Sequence, residues 1–315
     1  VFGVEKMLKT GVVGAGVFGA FHAGKHVSSP RVDLSGIWDI DPARARAVAD
    51  RFGAPALADF ASLLDAVDAV TIASPAPTHF RYARQALEAG RHVYVEKPLA
   101  LCPSEADLLI ALAAKNGCVL QVGHQERFVL AALGAPRGDA EPVSLEFARC
   151  GPPSGRGEDV SVVFDLMIHD LDIARLFGFG KILRTSACGD RHETVATLVF
   201  DKNRQCSFIA SRRSDSRRRL LKAVYDDGTI EIDFVNRRIV NSTPAELATA
   251  DFSSDAAFAD PLGASVEAFF ASILDGAKTM VDGKAARGAI EWAVEIEAAR
   301  NALNEAAPAA KRMIA

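Results

Sequence analysis

The stretch Thr10 to Phe21, reading Thr-Gly-Val-Val-Gly-Ala-Gly-Val-Phe-Gly-Ala-Phe, limits the possible folds more than any other part of the chain. An apolar run, Gly11 to Val13, leads into Gly14-x-Gly16-x-x-Gly19, and a helical pattern follows. In a strand–turn–helix context each glycine has its own task. Gly14 permits the tight turn, Gly16 lets backbone approach a pyrophosphate, and Gly19 lets the helix pack close to the strand. The helix that opens at Val17 and Phe18 offers free N–H groups and a positive dipole end to phosphates. A second signal supports the first. Val32 to Trp38 reads as the next strand and ends at Asp39. That is about 20 residues past the glycines, where an acid can take the adenosine ribose hydroxyls of a dinucleotide. Its charge repels a 2′-phosphate, so the expected cofactor is NAD. A turn or capping aspartate is the competing reading of Asp39, although Asp41 before Pro42 is the better helix N-cap.

From Leu8 to about Gly123 strands and helices alternate. Helices are expected at Phe18 to Val27, Pro42 to Phe52, Phe60 to Leu64, Phe80 to Glu88 and Ser104 to Asn116. Strands are expected at Asp68 to Ala73, His92 to Val95 and Val119 to Val122. This βαβα order predicts an N-terminal Rossmann fold, a doubly wound parallel sheet with right-handed connections. Beyond Gly123 the pattern changes. A strand at Val143 to Arg149 is followed by a Gly/Pro break, and Val162 to Phe177 reads as one helix. Strands are then expected at Ile182 to Ala187, Glu193 to Phe200, Gln205 to Arg212, Leu220 to Tyr225 and Thr229 to Phe234. Asp227-Gly228 is a hairpin turn. Ala264 to Leu274 and Lys284 to Asn304 read as closing helices. The second half is thus expected to be an α/β domain with an open, mainly antiparallel sheet. The expected domains are 7–124 for the dinucleotide and 125–315 for substrate and oligomerisation.

The 315 residues suffice for two cores, and a formal charge of −4 gives no electrostatic case for nucleic acid or an anionic membrane. No apolar run approaches the length of a spanning helix. Val1 to Lys6 is too short and polar for a signal peptide and is treated as an extension ahead of Met7. The cysteines at 102, 118, 150, 188 and 206 are odd in number and form no CxxC pair. Neither a disulfide framework nor a structural zinc site is expected, and a reducing cytoplasm fits. His22 and His26 are one helical turn apart. With no third ligand in view they are read as a polar face of the first helix, and no metal is expected.

Ligands of an open α/β sheet bind outside the carboxyl ends of its strands. The loop Ser74, Pro75 to His79, the triplet Glu96-Lys97-Pro98, and Gly123-His124-Gln125-Glu126-Arg127 all fall there. A lysine held between a strand and a proline can polarise an alcohol or carbonyl. In the second half, Asp165 and His169 are spaced to share one helical face, with Asp172 nearby. A neutral histidine there can act as a general base, with an adjacent carboxylate setting its tautomer.

Gly14-x-Gly16-x-x-Gly19, Glu96-Lys97-Pro98 and Asp165-x-x-x-His169, in this order, resemble the Gfo/Idh/MocA family of NAD(P)-dependent oxidoreductases across essentially the whole chain. The resemblance implies that Lys97, Asp165 and His169 form the catalytic set. It implies that Gly14, Gly16, Val17, Phe18, Gly19, Asp39, Ser74, Pro75, His79, Glu96 and Lys97 hold the cofactor. It also implies a sheet face that builds homodimers or homotetramers. Gly123-His124-Gln125-Glu126-Arg127-Phe128 and Asp165 to Asp172 further resemble the branch that oxidises nucleotide-activated amino sugars, UDP-N-acetylglucosamine at carbon 3 being the type substrate. In that reading His124, Arg127, Arg149 and Arg156 join Asp165 and His169 in holding the substrate, arginines being suited to a diphosphate. Arg212 and Arg213 flank the same face. A polyol or inositol dehydrogenase of the same family, and a catalytically silent NAD-binding regulator, are the alternatives.

Overall fold

The computed structural model describes residues 7–138, 140–155, 157–247 and 256–313. Arg156 lies outside them. Two units emerge, one running to Gln125 and rejoined by Asp260–Arg287, the other made of Glu126–Ala259 and the chain from Gly288 on. The chain therefore passes between units three times, where the sequence suggested a single boundary near His124.

In the first unit, β1 (Leu8–Val13), α1 (Val17–Ser28), β2 (Val32–Trp38), α2 (Pro42–Phe52), α3 (Phe60–Ala66), β3 (Ala69–Ile72), α4 (His79–Glu88), β4 (His92–Val95), α5 (Pro103–Asn116) and β5 (Leu120–Val122) follow one another. The strands form one parallel sheet in the order β2-β1-β3-β4-β5. Val12, Val13, Val70, Ile72, Val93 and Val95 are fully buried, as a sheet covered on both faces requires. Helix boundaries follow local chemistry. Asp41 accepts the Ala43 N–H to open α2, and Asp59 accepts that of Ser62 to open α3. Gly117 ends α5 in the left-handed conformation.

His22 and His26 are not on a polar face. Both are fully buried, on the side of α1 that meets the sheet. They tolerate burial because the sheet side supplies partners: Glu96, just past β4, for His22, and Thr10 of β1 and Thr71 of β3 for His26.

The second unit opens with α6 (Glu126–Leu133), a helix absent from the sequence expectation. It continues with β6 (Ser144–Cys150), a π-helical turn at Val163–Met167, α7 (Ile168–Arg175), β7 (Arg184–Gly189), β8 (Glu193–Val199), β9 (Gln205–Ser211), β10 (Arg218–Tyr225), β11 (Gly228–Asp233) and β12 (Arg238–Asn241). After α8 (Ala256–Ala259), helix α9 (Pro261–Leu274) returns to the first unit, where Tyr94 bonds Ser265. The long α10 (Gly283–Met313) ends the described chain. The seven-stranded sheet runs β12-β11-β10-β6-β9-β8-β7. It is antiparallel except for β6 and β9, which pair in parallel. A simple meander would set β9 beside β10. Instead β6 lies between them, with Phe147 of β6 stacked on Phe208 of β9 at 5.2 Å. The inner face is apolar, with Leu145, Leu198, Cys206, Leu221 and Ile232 buried. Trp292 of α10 packs on Phe200 in the same unit.

Candidate active site

The glycine turn has the shape its spacing predicts. Gly14 has φ +93, and a β-carbon there would lie 2.8 Å from the Ala73 carbonyl oxygen. A β-carbon on Gly19 would lie 1.8 Å from the Gly14 oxygen. At Gly16 a β-carbon would meet nothing within 4 Å, which leaves room for a bound group against the backbone. Helix α1 starts there without a side-chain cap, so its first N–H groups face outward. Val17 and Phe18 are exposed beside them. Asp39 reaches the same turn: its Oδ2 accepts the Ala15 N–H at 2.7 Å, and its Oδ1 accepts the Asp41 N–H at 2.8 Å and an Arg44 N–H at 3.1 Å. The aspartate thus braces the turn in addition to any ligand it holds. The Gly16 opening, the uncapped helix and this carboxylate suit a dinucleotide.

Two residues assigned to the cofactor turn inward instead. His79 is 1% exposed, with Nδ1 2.7 Å from the Pro98 oxygen and Nε2 2.8 Å from the Ser74 oxygen. Burial lowers its pKa against the pull of those carbonyls. A neutral ring carries one N–H, so it donates to one of the two at a time. His79 ties the loop after β3 to the loop after β4. Glu96 is also buried, held by His22 at 2.7 Å and by Gln125 at 3.3 Å, and a side chain at Gly123 would collide with it. Ser74 bonds Thr78 at 2.7 Å. Between these braces Lys97 stays partly exposed. His124 is 2% exposed, too enclosed to face substrate in this conformation.

In the second unit Asp165 sits in the π-helical turn and His169 in the first turn of α7, where one continuous α-helix was expected. The extra residue of a π turn displaces side chains from 3.6-residue spacing and is frequent at functional sites. Asp165 and His169 are braced by different partners. Asp165 accepts from Arg212 at 3.0 Å, and Arg212 also donates to the carbonyls of Gly157 and Val160. Gly157, at φ +69, leaves space that any side chain would take from Asp165. His169 places Nδ1 2.8 Å from Oε2 of Glu126. The other Glu126 oxygen accepts from Arg149 at 2.8 Å, and Arg149 grips Asp170 through Nε and Nη2 at 3.0 and 2.7 Å. Burial opposes ionisation of Glu126, but the Arg149 guanidinium, joined by His169 whenever its ring is protonated, prevails and holds its pKa well below the usual range.

The arginines expected to hold a diphosphate are mostly spent within the unit. Arg149 is 3% exposed and bound to two carboxylates. Arg127 makes a bidentate pair with Asp172 at 2.7 and 2.6 Å. Arg212 is buried, and Arg213 pairs with Asp190 at the surface. The sequence assigns no role to Glu126, which here joins His169 to Arg149. It stands between His124 and Arg127, and its signal was an acid opening a short apolar helix. Among the described residues no three His, Cys, Asp or Glu side chains converge as metal ligands.

The family profile described as the oxidoreductase family with an NAD-binding Rossmann fold, Gfo/Idh/MocA, matches residues 8–124. The UDP-N-acetylglucosamine 3-dehydrogenase of Acidithiobacillus ferrooxidans is 32% identical over 311 residues, spanning 93% of this chain and 97% of that one. The chain belongs to the Gfo/Idh/MocA oxidoreductase family. The solved structure of that dehydrogenase, GnnA, superposes with a TM-score of 0.84 at 31% identity, covering 94% of this chain and 98% of its own. GenD2 from gentamicin A biosynthesis, solved with NAD, shares the fold at a TM-score of 0.78 and 23% identity, over 93% and 94% of the two chains. As a Gfo/Idh/MocA oxidoreductase the protein carries both the glycine turn and the Asp165/His169 segment on the elements described above.

Proposed function

We propose that this oxidoreductase uses NAD to oxidise a secondary hydroxyl of a nucleotide-activated amino sugar, with UDP-N-acetylglucosamine at carbon 3 as the first candidate. The observation that carries the reading is the end-to-end similarity to a UDP-N-acetylglucosamine 3-dehydrogenase, at 32% identity over 93% of the chain. Gly14, Gly16, Val17, Phe18 and Gly19 cradle the pyrophosphate, and Asp39 selects the ribose hydroxyls over a 2′-phosphate. When bound, NAD supplies the hydride acceptor. His169 takes the hydroxyl proton through Nε2, since Nδ1 is committed to Glu126. To the Lys97 ammonium we assign the stabilisation of the negative charge that develops on the substrate. Asp165, fixed by Arg212, accepts a hydroxyl of the substrate and orients it. The five thiols are free, which suits the reducing cytoplasm we propose as its location.

The test is direct. Purified protein is incubated with NAD and a panel of UDP-sugars and free polyols, and reduced cofactor is followed by absorbance. UDP-N-acetylglucosamine should give the highest kcat/KM. His169→Ala should lower turnover by roughly 10²–10⁴ while NADH affinity stays near wild type. Preference for an inositol would replace the substrate assignment. A folded His169→Ala variant with wild-type turnover would remove the base.

A further inference from the structure

Glu126, Arg149, His169 and Asp170 come from three elements, α6, β6 and α7, and form one chain of alternating charge. We infer that Glu126 is a positioning residue that fixes the tautomer of His169, holding the proton on Nδ1 so that Nε2 presents its lone pair; this rests on the proposed role of His169 as the base. The argument begins with Glu126. An ionised carboxylate only accepts hydrogen bonds. Oε2 lies 2.8 Å from His169 Nδ1, so in the neutral ring Nδ1 must carry the hydrogen. A neutral imidazole has one N–H, which leaves Nε2 as the basic nitrogen.

Glu126 is held for this task from its other side. Oε1 accepts from Arg149 Nη1 at 2.8 Å, and Arg149 is anchored by two bonds to Asp170 Oδ1. Arg149 and Asp170 are each 3% exposed. Asp170 follows His169 in the chain, so the relay starts and ends on one turn of α7 and closes around the imidazole. A pair serving only to bury Arg149 would be complete with Asp170. The second carboxylate, shared with a histidine, is what tautomer control requires. The same carboxylate stabilises the imidazolium formed when the proton arrives. Among the described residues Arg219, in register with Arg149 on β10, also acts on Glu126, and Asp165 stands one turn before His169 in the chain.

The prediction is read by nitrogen-15 NMR of the histidine rings, with His169 assigned by its loss in His169→Gln. The wild type should show His169 as the Nδ1–H tautomer. Glu126→Gln keeps the shape but removes the charge. It should lower the His169 pKa by about one unit. The acid limb of kcat should move to lower pH by the same amount, and plateau kcat should fall about 10²-fold. Glu126→Asp should restore part of kcat, and NADH affinity should hold in both variants. A folded Glu126→Gln protein with unchanged tautomer, pKa and kcat would overturn the inference. Should that variant not fold, the wild type still decides, because an Nε2–H tautomer there overturns it as well. His169→Ala separates the two readings. Inactivity of His169→Ala beside a fully active Glu126→Gln removes only the role of Glu126, whereas an active His169→Ala removes the base and this inference together.

Discussion

Residue His26 shows how a polar side chain becomes a pH-dependent part of the core. Thr10 Oγ1 donates to the Asp33 carbonyl, so it must accept from His26 Nδ1–H at 2.9 Å. Nε2 then accepts from the Thr71 hydroxyl at 3.0 Å. A neutral ring satisfies both bonds, and a charged ring would oppose the Thr71 donor. Burial, with the nearby His22, lowers its pKa from 6.5 to about 3. The unfolded chain therefore takes up a proton below pH 6.5 that the folded chain refuses. The stability from His26 is complete above 6.5 and is lost as pH falls towards 3, at about 1.4 kcal/mol per pH unit. His79 is shifted the same way. Urea unfolding between pH 7 and 4 should show a shallower loss of stability in His26→Leu than in the wild type, and equal slopes would disprove the buried-neutral assignment. Asp39 carries a second prediction at this scale. NADH should bind more tightly than NADPH, and Asp39→Ser should narrow the gap while lowering the melting temperature, since the Ala15 and Asp41 N–H groups lose their acceptor. Equal binding of the two cofactors by the wild type would refute the preference.

At the scale of elements, the glycine turn separates binding from packing. Gly16→Ala adds a methyl into open space at φ −76, a conformation alanine accepts, so the cost should stay within the roughly 1 kcal/mol by which alanine is the poorer N-cap. NADH affinity should still fall about tenfold or more if backbone approach to the pyrophosphate matters. Gly19→Ala collides with the Gly14 carbonyl and should cost more than about 3 kcal/mol and abolish binding. Calorimetry with NADH titration checks both, and a Gly16→Ala variant that binds normally would remove the cradle. The first-unit elements were legible because each carries its own punctuation: Asp41 and Pro42 before α2, Gly117 after α5, continuous apolar strands between. The second unit was harder to read. Helix α6 is short and follows a loop of Gly-His-Gln with no stop signal. The edge strand β12 is four residues of mixed polarity. The π turn is invisible to 3.6-residue counting. The site divides likewise. The glycines, Asp39, Lys97, Asp165 and His169 announce themselves by motif. The partners of His22 and Glu126 lie 74 and 43 residues away in sequence, and only the fold brings them together.

For the whole molecule, we propose the exposed face of the seven-stranded sheet as the surface that binds a second copy. Register sets Val195 of β8 beside Ile209 of β9, Ile209 beside Ala148 of β6, and Ala148 beside Leu220 of β10. These side chains form one apolar row across four strands, and Val195, Ile209 and Leu220 are 41%, 41% and 37% exposed. The adjacent row is charged, with Glu146 and Lys222 in register and Lys222 paired to Glu231 at 3.1 Å. Ala148, Ile209 and Leu220 of the apolar row and Glu146, Lys222 and Glu231 of the charged one line a groove of about 520 Å³ that Val240 and Arg238 complete. An apolar centre with a charged border is the composition of an interface, and a two-fold axis would set each row against its own copy. We therefore predict a homodimer or homotetramer assembled through this face. Ile209→Glu with Leu220→Glu places like charges in the centre of the contact and should give monomers at micromolar concentration. Both side chains point away from the buried face, so the melting temperature of the isolated fold should fall only by what dimer dissociation removes. Sedimentation velocity across a concentration series reads the result. A wild-type monomer at tens of micromolar, or a double variant that still sediments with the wild-type oligomer, would exclude this face as the contact.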